Sequence, residues 1–170
     1  MDGAQRRAEI ARFLSCAKGP VSAAVLARNC SVSRQIIVSD VALLRAGGMD
    51  IAATPRGYVI QRSPAGLVRR VAVRHSGAEM AAELNAMVDQ GCTVLDVSVE
   101  HPIYGQLTGP LQLSSRYDVE QFITRCRQAE ALPLSRLTEG IHLHTLSCPD
   151  QAAYDRVCQS LARLGFLLED

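Results

Sequence analysis

Apolar residues in the first sixty positions recur at the spacing of short helices, and this pattern ends in a hairpin. Residues 6–14 carry apolar side chains on one helical face, and a Gly-Pro pair soon ends that segment. Ser22 and Ser33 are suitable N-caps for two further short helices. Two extended runs, residues 51–53 and 58–60, flank a turn sequence and predict a β-hairpin. Three helices followed by a hairpin are typical of a winged helix-turn-helix.

After a linker-like stretch at residues 62–66, the pattern changes to alternating strands and longer helices. The predicted order βαββαβαβ indicates an antiparallel or mixed sheet with helices on one face. We therefore predict an α+β protein with a winged helix-turn-helix in residues 1–62 and an α+β sandwich of ferredoxin-like βαββαβ type in residues 67–170. The predicted strands are residues 67–74, 93–99, a stretch ending near 113, 141–146 and 166–168, and the predicted helices are 77–90, 115–131 and 149–164.

The composition is that of a globular protein. Hydrophobic residues make up 48% of the chain and charged residues 21%, which excludes a disordered or fibrous class. No apolar run approaches the roughly 20 residues that span a bilayer. The N-terminus lacks the apolar core of a signal peptide. We therefore expect a cytoplasmic protein with no membrane partner.

The net charge of +1 hides an uneven distribution. Residues 1–62 contain nine basic and four acidic residues, a net charge of +5, so the rest of the chain carries −4. A basic segment joined to a mildly acidic one is typical of a polyanion-binding module with a separate regulatory domain. An ordinary solvated surface can also carry a charge of +5.

The N-terminal end of the third predicted helix carries side chains that can read DNA. A helix fits the major groove, and its first residues meet the base edges. Arg34 can pair with guanine and Gln35 with adenine, while the Ser33 hydroxyl can donate to a phosphate. Ser22 can also contact a phosphate, and Arg56 at the hairpin tip can reach the backbone or the minor groove. The alternative is a small helical domain used for protein contacts.

Residues 19–58 contain the pieces Gly19-Pro20-Val21-Ser22, Val32-Ser33-Arg34-Gln35-Ile36-Ile37, Leu43-Leu44-Arg45-Ala46-Gly47-Gly48 and Thr54-Pro55-Arg56-Gly57-Tyr58. With these pieces the segment resembles the biotin-repressor type of helix-turn-helix, in the version found in niacin-responsive repressors. The resemblance implies double-stranded operator DNA as the partner. Asp40 and Arg45 lie off a common face of the third helix, and we expect them to satisfy local charges.

All four histidines lie in the second half of the chain. His142 and His144 are two residues apart on a predicted strand, so both rings project from one face and can bind a borderline metal ion together. A polar sheet face is the alternative. His75 closes the first strand of this domain. Glu83, two turns into the next helix, can reach the sheet, and Glu79 competes with it one turn earlier.

Four pieces of the chain from residue 73 onward form a recognisable set: Arg74-His75, the helix that contains Glu83, Glu100-His101-Pro102-Ile103-Tyr104-Gly105 and Gly140-Ile141-His142-Leu143-His144-Thr145. With these pieces the chain resembles the three-histidine (3H) ligand-sensing domain. This resemblance implies one divalent transition metal per chain, nickel or zinc, held by His75, Glu83, His142 and His144.

The remaining histidine and two cysteines have open roles. We assign His101 and Tyr104 to an effector pocket or to the second shell of the metal site. A loop histidine with its hydrogen bonds satisfied locally is the alternative. If Cys92 or Cys148 reached the ion, sulfur would favour zinc over nickel.

The two resemblances together imply a repressor of genes for NAD biosynthesis or niacin uptake. Nicotinic acid or a related pyridine would be the effector, and a homodimer would bind a palindromic operator. The first alternative is a metal-sensing repressor in which the ion is the signal. The second is a metal-dependent enzyme fused to a DNA-binding module. We do not expect an enzyme, because the candidate bases Asp96 and Glu100 lie, by strand alternation, on one face with Val94 and Ser98 and have no special pairing.

Overall fold

The computed structural model describes residues 2–61 and 66–169. The chain divides into two compact units, Met1–Ser63 and Pro64–Asp170. Most of the predicted linker, residues 62–65, lies outside the described residues.

The first unit begins with three helices whose starts are fixed by side-chain caps. Asp2 forms a capping box with Gln5, while the Ser22 and Ser33 hydroxyl oxygens each accept a hydrogen bond from a backbone N–H three residues later. Such caps satisfy amide groups that a helix start otherwise leaves unpaired. The helices are α1 (Gly3–Cys16), α2 (Ala23–Cys30) and α3 (Arg34–Ala46).

A hairpin of β1 (Ile51–Thr54) and β2 (Gly57–Ile60) follows the helices. It is tied to the loop before α2, because Val21 and Tyr58 exchange two backbone hydrogen bonds of 2.8 Å. Gly57 has φ 134°, and a Cβ there would collide with the Val21 carbonyl. This close approach fixes the hairpin beside the helices as the wing of a winged helix-turn-helix.

Apolar residues from all three helices close the core of the first unit. Ile10, Leu26, Ile37 and Val41 are completely buried. Each such side chain stabilises the fold by roughly 1.5–3 kcal/mol relative to an exposed position.

The second unit is a four-stranded sheet with three α-helices. All neighbouring strands are antiparallel, in the order β3-β6-β4-β5. The last strand in sequence is thus inserted between the first two of this unit. The elements are β3 (Leu67–Arg74), α4 (Met80–Val88), β4 (Thr93–His101), β5 (Gly105–Leu113), α5 (Arg116–Gln128), β6 (Ile141–Cys148) and α6 (Gln151–Leu164), with short 3₁₀ turns at Gly77–Glu79 and Leu134–Thr138. The α+β fold class predicted from the sequence is confirmed.

One face of this sheet packs under the helices. On β6 every second residue from His142 is buried, and Val73 and Val71 on β3 pair with His142 and His144. Leu84 and Met87 of α4 pack against this face. The alternation therefore places three histidine-bearing positions on the covered side of the sheet.

Two sequence predictions about this unit are wrong. A β-bulge between Val94 and Asp96 breaks the alternation of β4, so Val94 faces the helices while Asp96, Ser98 and Glu100 face the other side. These four residues therefore do not share a face.

The predicted closing strand at residues 166–168 is also absent from the described part of the chain. Leu167 forms only an isolated bridge with Val73, and two backbone hydrogen bonds tie this segment to the free edge of β3. The segment is too short to continue the ladder.

Candidate metal centre and nucleic-acid interface

Three histidines and one glutamate meet beneath the helices of the second unit. His75 follows the end of β3, and His142 and His144 lie on the neighbouring β6. Glu83 lies on α4, which packs against the same face of the sheet. All four residues are buried, and Glu83 is only 1% exposed.

The three imidazole rings point the same nitrogen at one carboxylate. Nε2 of His75 lies 2.6 Å from one Glu83 oxygen, and Nε2 of His142 and of His144 each lie 3.0 Å from the other. Ligand atoms of His75, Glu83 and His142 all lie within 4.8 Å of one another.

The other ring nitrogen of each histidine contacts a backbone carbonyl. Nδ1 lies 2.6 Å from the Ser76 oxygen in His75, 2.8 Å from the Gly140 oxygen in His142 and 2.7 Å from the Asp96 oxygen in His144. A carbonyl oxygen can only accept, so each Nδ1 carries the proton and donates it. In a neutral ring Nε2 is then a free lone pair, which is the form that binds a metal ion.

The polar atoms of the four side chains would be better satisfied by a cation than they are by one another. Among the described residues, Nε2 of His75 and of His144 have no hydrogen-bond partner of acceptable geometry, although both lie within ion-pair distance of Glu83. Buried polar atoms of this kind require an explanation. A divalent ion between the three lone pairs and the carboxylate supplies one, and imidazole with carboxylate suits zinc or nickel.

The shifted pKa values in the cluster result from the close approach of Glu83 and the histidines. Burial alone lowers the pKa of His75 and of His144, but the adjacent Glu83 carboxylate outweighs burial and leaves both pKa values raised. Burial raises the pKa of Glu83, yet the surrounding histidines hold it well below its usual range. The pocket is thus built around a buried negative charge that attracts cations.

Glu79, the alternative glutamate, and His101, the fourth histidine, make contacts away from the cluster. The Glu79 carboxylate accepts two hydrogen bonds of 2.9 Å from the Ser76 amide and hydroxyl, and so caps the turn before α4. His101, in the β4–β5 hairpin, accepts at Nδ1 from the amides of Ile103 and Tyr104. Its neutral ring therefore carries the proton on Nε2, opposite to the three clustered histidines.

His101 also stacks against Tyr104, with 5.0 Å between ring centroids, and Tyr104 is 75% exposed. These local contacts correspond to the loop alternative considered for His101. They do not support a second-shell role, because the groups that orient the clustered rings are backbone carbonyls.

The two cysteines considered as ligands contact each other instead. The Sγ atoms of Cys92 and Cys148 are 2.9 Å apart within the apolar core, and burial raises the pKa of Cys92 to about 12. Cys148 is four strand residues from His144, a distance of about 13 Å. The thiols are therefore separate from the histidine cluster.

An open cleft of about 710 Å³ lies beside the cluster. His75 and Gly140 line its inner side, and Arg74, Leu132 and Arg136 line its mouth. Periodicity did not reveal this cleft, because the segment after α5 is irregular.

The predicted DNA-reading residues lie at the starts of α2 and α3 and in the turn of the wing. Ser33, Arg34 and Gln35 are exposed at the start of α3. Ser22 caps α2, and Arg56 lies in the wing turn, where its amide donates to the Thr54 hydroxyl. A groove of about 590 Å³ runs between α2 and the start of α3.

Asp40 and Arg45 have the local roles expected for them. Asp40 is buried and pairs with Arg6 at 2.5 Å. The Arg45 guanidinium donates to the Ile51 carbonyl at 2.7 Å and lies over the Tyr58 ring. These contacts join α3 to α1 and to the wing.

Sequence reasoning missed the groups that orient the rings. Ser76, Gly140 and Asp96 act through carbonyl oxygens, which no side-chain pattern reveals. Of these three residues, Gly140 has a type that gave a signal, because glycine is favoured where φ is positive. Its φ is 92°, and a Cβ there would lie 2.5 Å from the His75 carbonyl oxygen.

In the described part of the chain, no helix has the length and apolar character needed to cross a membrane.

Comparison with known proteins identifies both units. The profile of the 3H domain matches residues 68–170, and that of a helix-turn-helix (HTH) domain matches residues 6–59. The probable transcription repressor NiaR of Thermotoga maritima is 43% identical over 166 residues, which cover 98% of this chain and 95% of the relative. The transcription repressor NadR of Bacillus subtilis is 41% identical over 172 residues, with 99% and 96% covered. Both relatives are named as repressors and not as enzymes. The chain belongs to the 3H-domain family, in the group of helix-turn-helix proteins that includes these two repressors.

Proposed function

We propose that this protein is a cytoplasmic transcription repressor that binds operator DNA as a homodimer and responds to nicotinic acid or a related pyridine. Its regulated genes would serve NAD biosynthesis or niacin uptake. The observation that carries the proposal is the buried cluster in the second unit of a chain whose first unit is a winged helix-turn-helix. Such a cluster gives a DNA-binding protein a place to receive a chemical signal.

For the metal, we propose His75, Glu83, His142 and His144 as the ligands of one nickel or zinc ion. The three Nε2 atoms that converge on the buried Glu83 carboxylate support this assignment. A bound ion would supply a Lewis-acidic position beside the cleft. This chain's own residues orient the rings and exclude water from the inner side.

For the effector, the cleft beside His75 is the candidate site. Arg74 and Arg136 offer guanidinium groups to a carboxylate, and Leu132 offers an apolar surface to an aromatic ring. We keep the hairpin residues His101 and Tyr104 as candidate effector contacts, although neither lines this cleft. Their chemistry suits this role, since Nε2–H of His101 can donate to an anion.

For DNA, we propose Arg34 and Gln35 as base-reading residues and Ser22, Ser33 and Arg56 as backbone contacts. The exposure of Arg34 and Gln35 at the start of α3 supports their role.

The test is DNA binding by the purified protein on an operator found by in vitro selection. Affinity is compared for metal-free protein, protein with nickel or zinc, and protein with metal plus nicotinic acid or nicotinamide. We expect the pyridine to change affinity only when metal is present, because an effector must bind the two states of the protein unequally. A full response to metal alone, with no further effect of either pyridine, would instead establish the metal-sensing alternative.

A further inference from the structure

Helix α3 changes in chemical character after its first turn. Arg34 and Gln35, at its start, carry side chains that can form hydrogen bonds to base edges. Residues 36–44, by contrast, include one charged side chain, that of Asp40, and it is buried. The one hydroxyl of this stretch, that of Ser39, donates to the Gln35 carbonyl at 3.2 Å. Residues 36–44 therefore offer a base no free side-chain donor.

Two exposed apolar residues continue the line of Arg34 along the helix surface. Val38 and Ala42 follow Arg34 at intervals of four residues, and side chains four residues apart are neighbours on a helix. All three are exposed, Val38 to 44%. Arg34 and Arg28 of α2 also line the groove between the two helices, so this side of α3 lies next to basic groups that suit a polyanion. We call Arg34, Val38 and Ala42 the Arg34 row.

A different side of α3 also carries exposed apolar residues. Ile36 lies four residues before Asp40 and Leu43 three residues after it, so both are its neighbours on the helix. Asp40 pairs with Arg6 of α1, which places this side toward α1. Leu43, exposed to 55%, is therefore similar to Val38 in chemistry but lies outside the Arg34 row.

In the major groove, thymine presents the one apolar substituent of the four bases, its C5-methyl group. The polar groups on the base edges lose their water without gaining a partner when a valine or alanine side chain covers them. The methyl group loses no hydrogen bond there and gains burial. We infer that Val38 and Ala42 contact C5-methyl groups of thymines beside the base pair that Arg34 reads.

This contact rests on the proposed binding of operator DNA by α3, and it extends that binding to a chemical requirement. Arg34 and Gln35 read by hydrogen bonds, whereas the rest of the Arg34 row selects a methyl group. Each operator half-site then contains thymines that this protein recognises by their methyl groups. Val38 is the residue with the larger share, because its side chain has more apolar surface than that of Ala42.

The test compares two duplexes of one sequence, the operator obtained by in vitro selection. In the second duplex every thymine is replaced by uracil, which pairs in the same way and lacks only the methyl group. Affinities are measured by fluorescence anisotropy at one salt concentration, because phosphate contacts make affinity depend on salt. Each methyl group that loses an apolar contact costs roughly fourfold in affinity, and a homodimer meets it in both half-sites. We expect the wild type to bind the uracil duplex at least about tenfold more weakly.

The variant Val38→Ala shows whether this loss arises in the Arg34 row. Val38 is exposed and alanine favours a helix, so the variant keeps its fold. It binds the thymine operator more weakly than the wild type does, and its further loss on the uracil duplex is at least about fourfold smaller. The control Leu43→Ala removes a larger exposed side chain and retains the full loss of the wild type.

Contact with thymine methyl groups is excluded if the wild type binds both duplexes equally. If that protein still prefers the operator to unrelated DNA, the repressor proposal stands while the thymine contact fails. The contact is also excluded if Val38→Ala retains the full loss on uracil, since the methyl groups then act elsewhere, or if Leu43→Ala abolishes it. If selection finds no preferred sequence, the thymine contact and the repressor proposal fail together.

Discussion

The four imidazole rings of this protein differ in which nitrogen carries the proton. In His75, His142 and His144 a carbonyl accepts from Nδ1, whereas in His101 two amides donate to Nδ1. Only the first arrangement leaves Nε2 free for a metal ion. Backbone hydrogen bonds therefore set one tautomer in the three clustered histidines and the other tautomer in His101.

The double change His142→Ala/His144→Ala tests the assignment of the metal ligands. Two of the four proposed donors are lost, so metal affinity falls by more than the roughly 10–100-fold typical of a lost outer-shell partner. Bound nickel and zinc are measured by elemental analysis after dialysis. His101→Ala is the control and retains the metal of the wild type. Stoichiometric metal in the double variant would exclude the assignment.

Gly140→Ala tests how strongly the backbone positions the rings. Its φ of 92° disfavours any side chain, and the new Cβ would meet the His75 carbonyl. Gly165→Ala is a matched control with φ 75° and open space around the Cβ, and costs about 1–2 kcal/mol through φ alone. We expect Gly140→Ala to lower the free energy of unfolding in urea further than the control, and to weaken metal binding. Equal losses in the two variants would contradict this role.

At the scale of elements, regular periodicity was predictable and local interruptions were not. The apolar alternation of β6 indicated that His142 and His144 share a face, and the serine caps indicated where α2 and α3 begin. The bulge in β4 was not predictable, because one extra residue has no signal in an alternating pattern. The apolar run at residues 166–168 looked like a strand, although three residues at a sheet edge form only a bridge.

Helix α3 provides a prediction at this scale. Arg34→Ala removes a side chain from the start of the helix and weakens specific operator binding by about 1–3 kcal/mol if Arg34 reads a base. Arg12→Ala is the control, since Arg12 is exposed on α1 and paired with Glu9. Both variants are measured by fluorescence anisotropy on operator and on unrelated DNA. An equal loss on both DNAs would mark Arg34 as a phosphate contact.

The whole molecule consists of two units with separate cores and opposite net charge. The residues proposed to contact DNA and the residues that form the histidine cluster lie in different units. The division was visible in the sequence as a change of pattern near residue 62 and as a change of charge. The cleft beside the cluster was not, because its wall is built from irregular segments.

Metal binding should stabilise one unit more than the other. Because the proposed ligands all lie in the second unit, an ion at about 100 times its dissociation constant adds about 2.7 kcal/mol to that unit alone. Differential scanning calorimetry of the full chain, with nickel or with a chelator, measures this effect. We expect two transitions, of which only one moves to higher temperature. Equal movement of both transitions would argue against a site confined to the second unit.

The bulge in β4 gives one residue two neighbours that regular pairing would separate. The Asp96 carbonyl accepts from His144 Nδ1, while an oxygen of its side chain accepts from the Thr145 amide. One residue of β4 therefore holds both the ring of a proposed metal ligand and the backbone of the residue that follows it on β6. A rotation of the His144 ring on ion binding would have to move a hydrogen bond at this bulge, so the bulge is the point at which the ion would act on the backbone of the sheet.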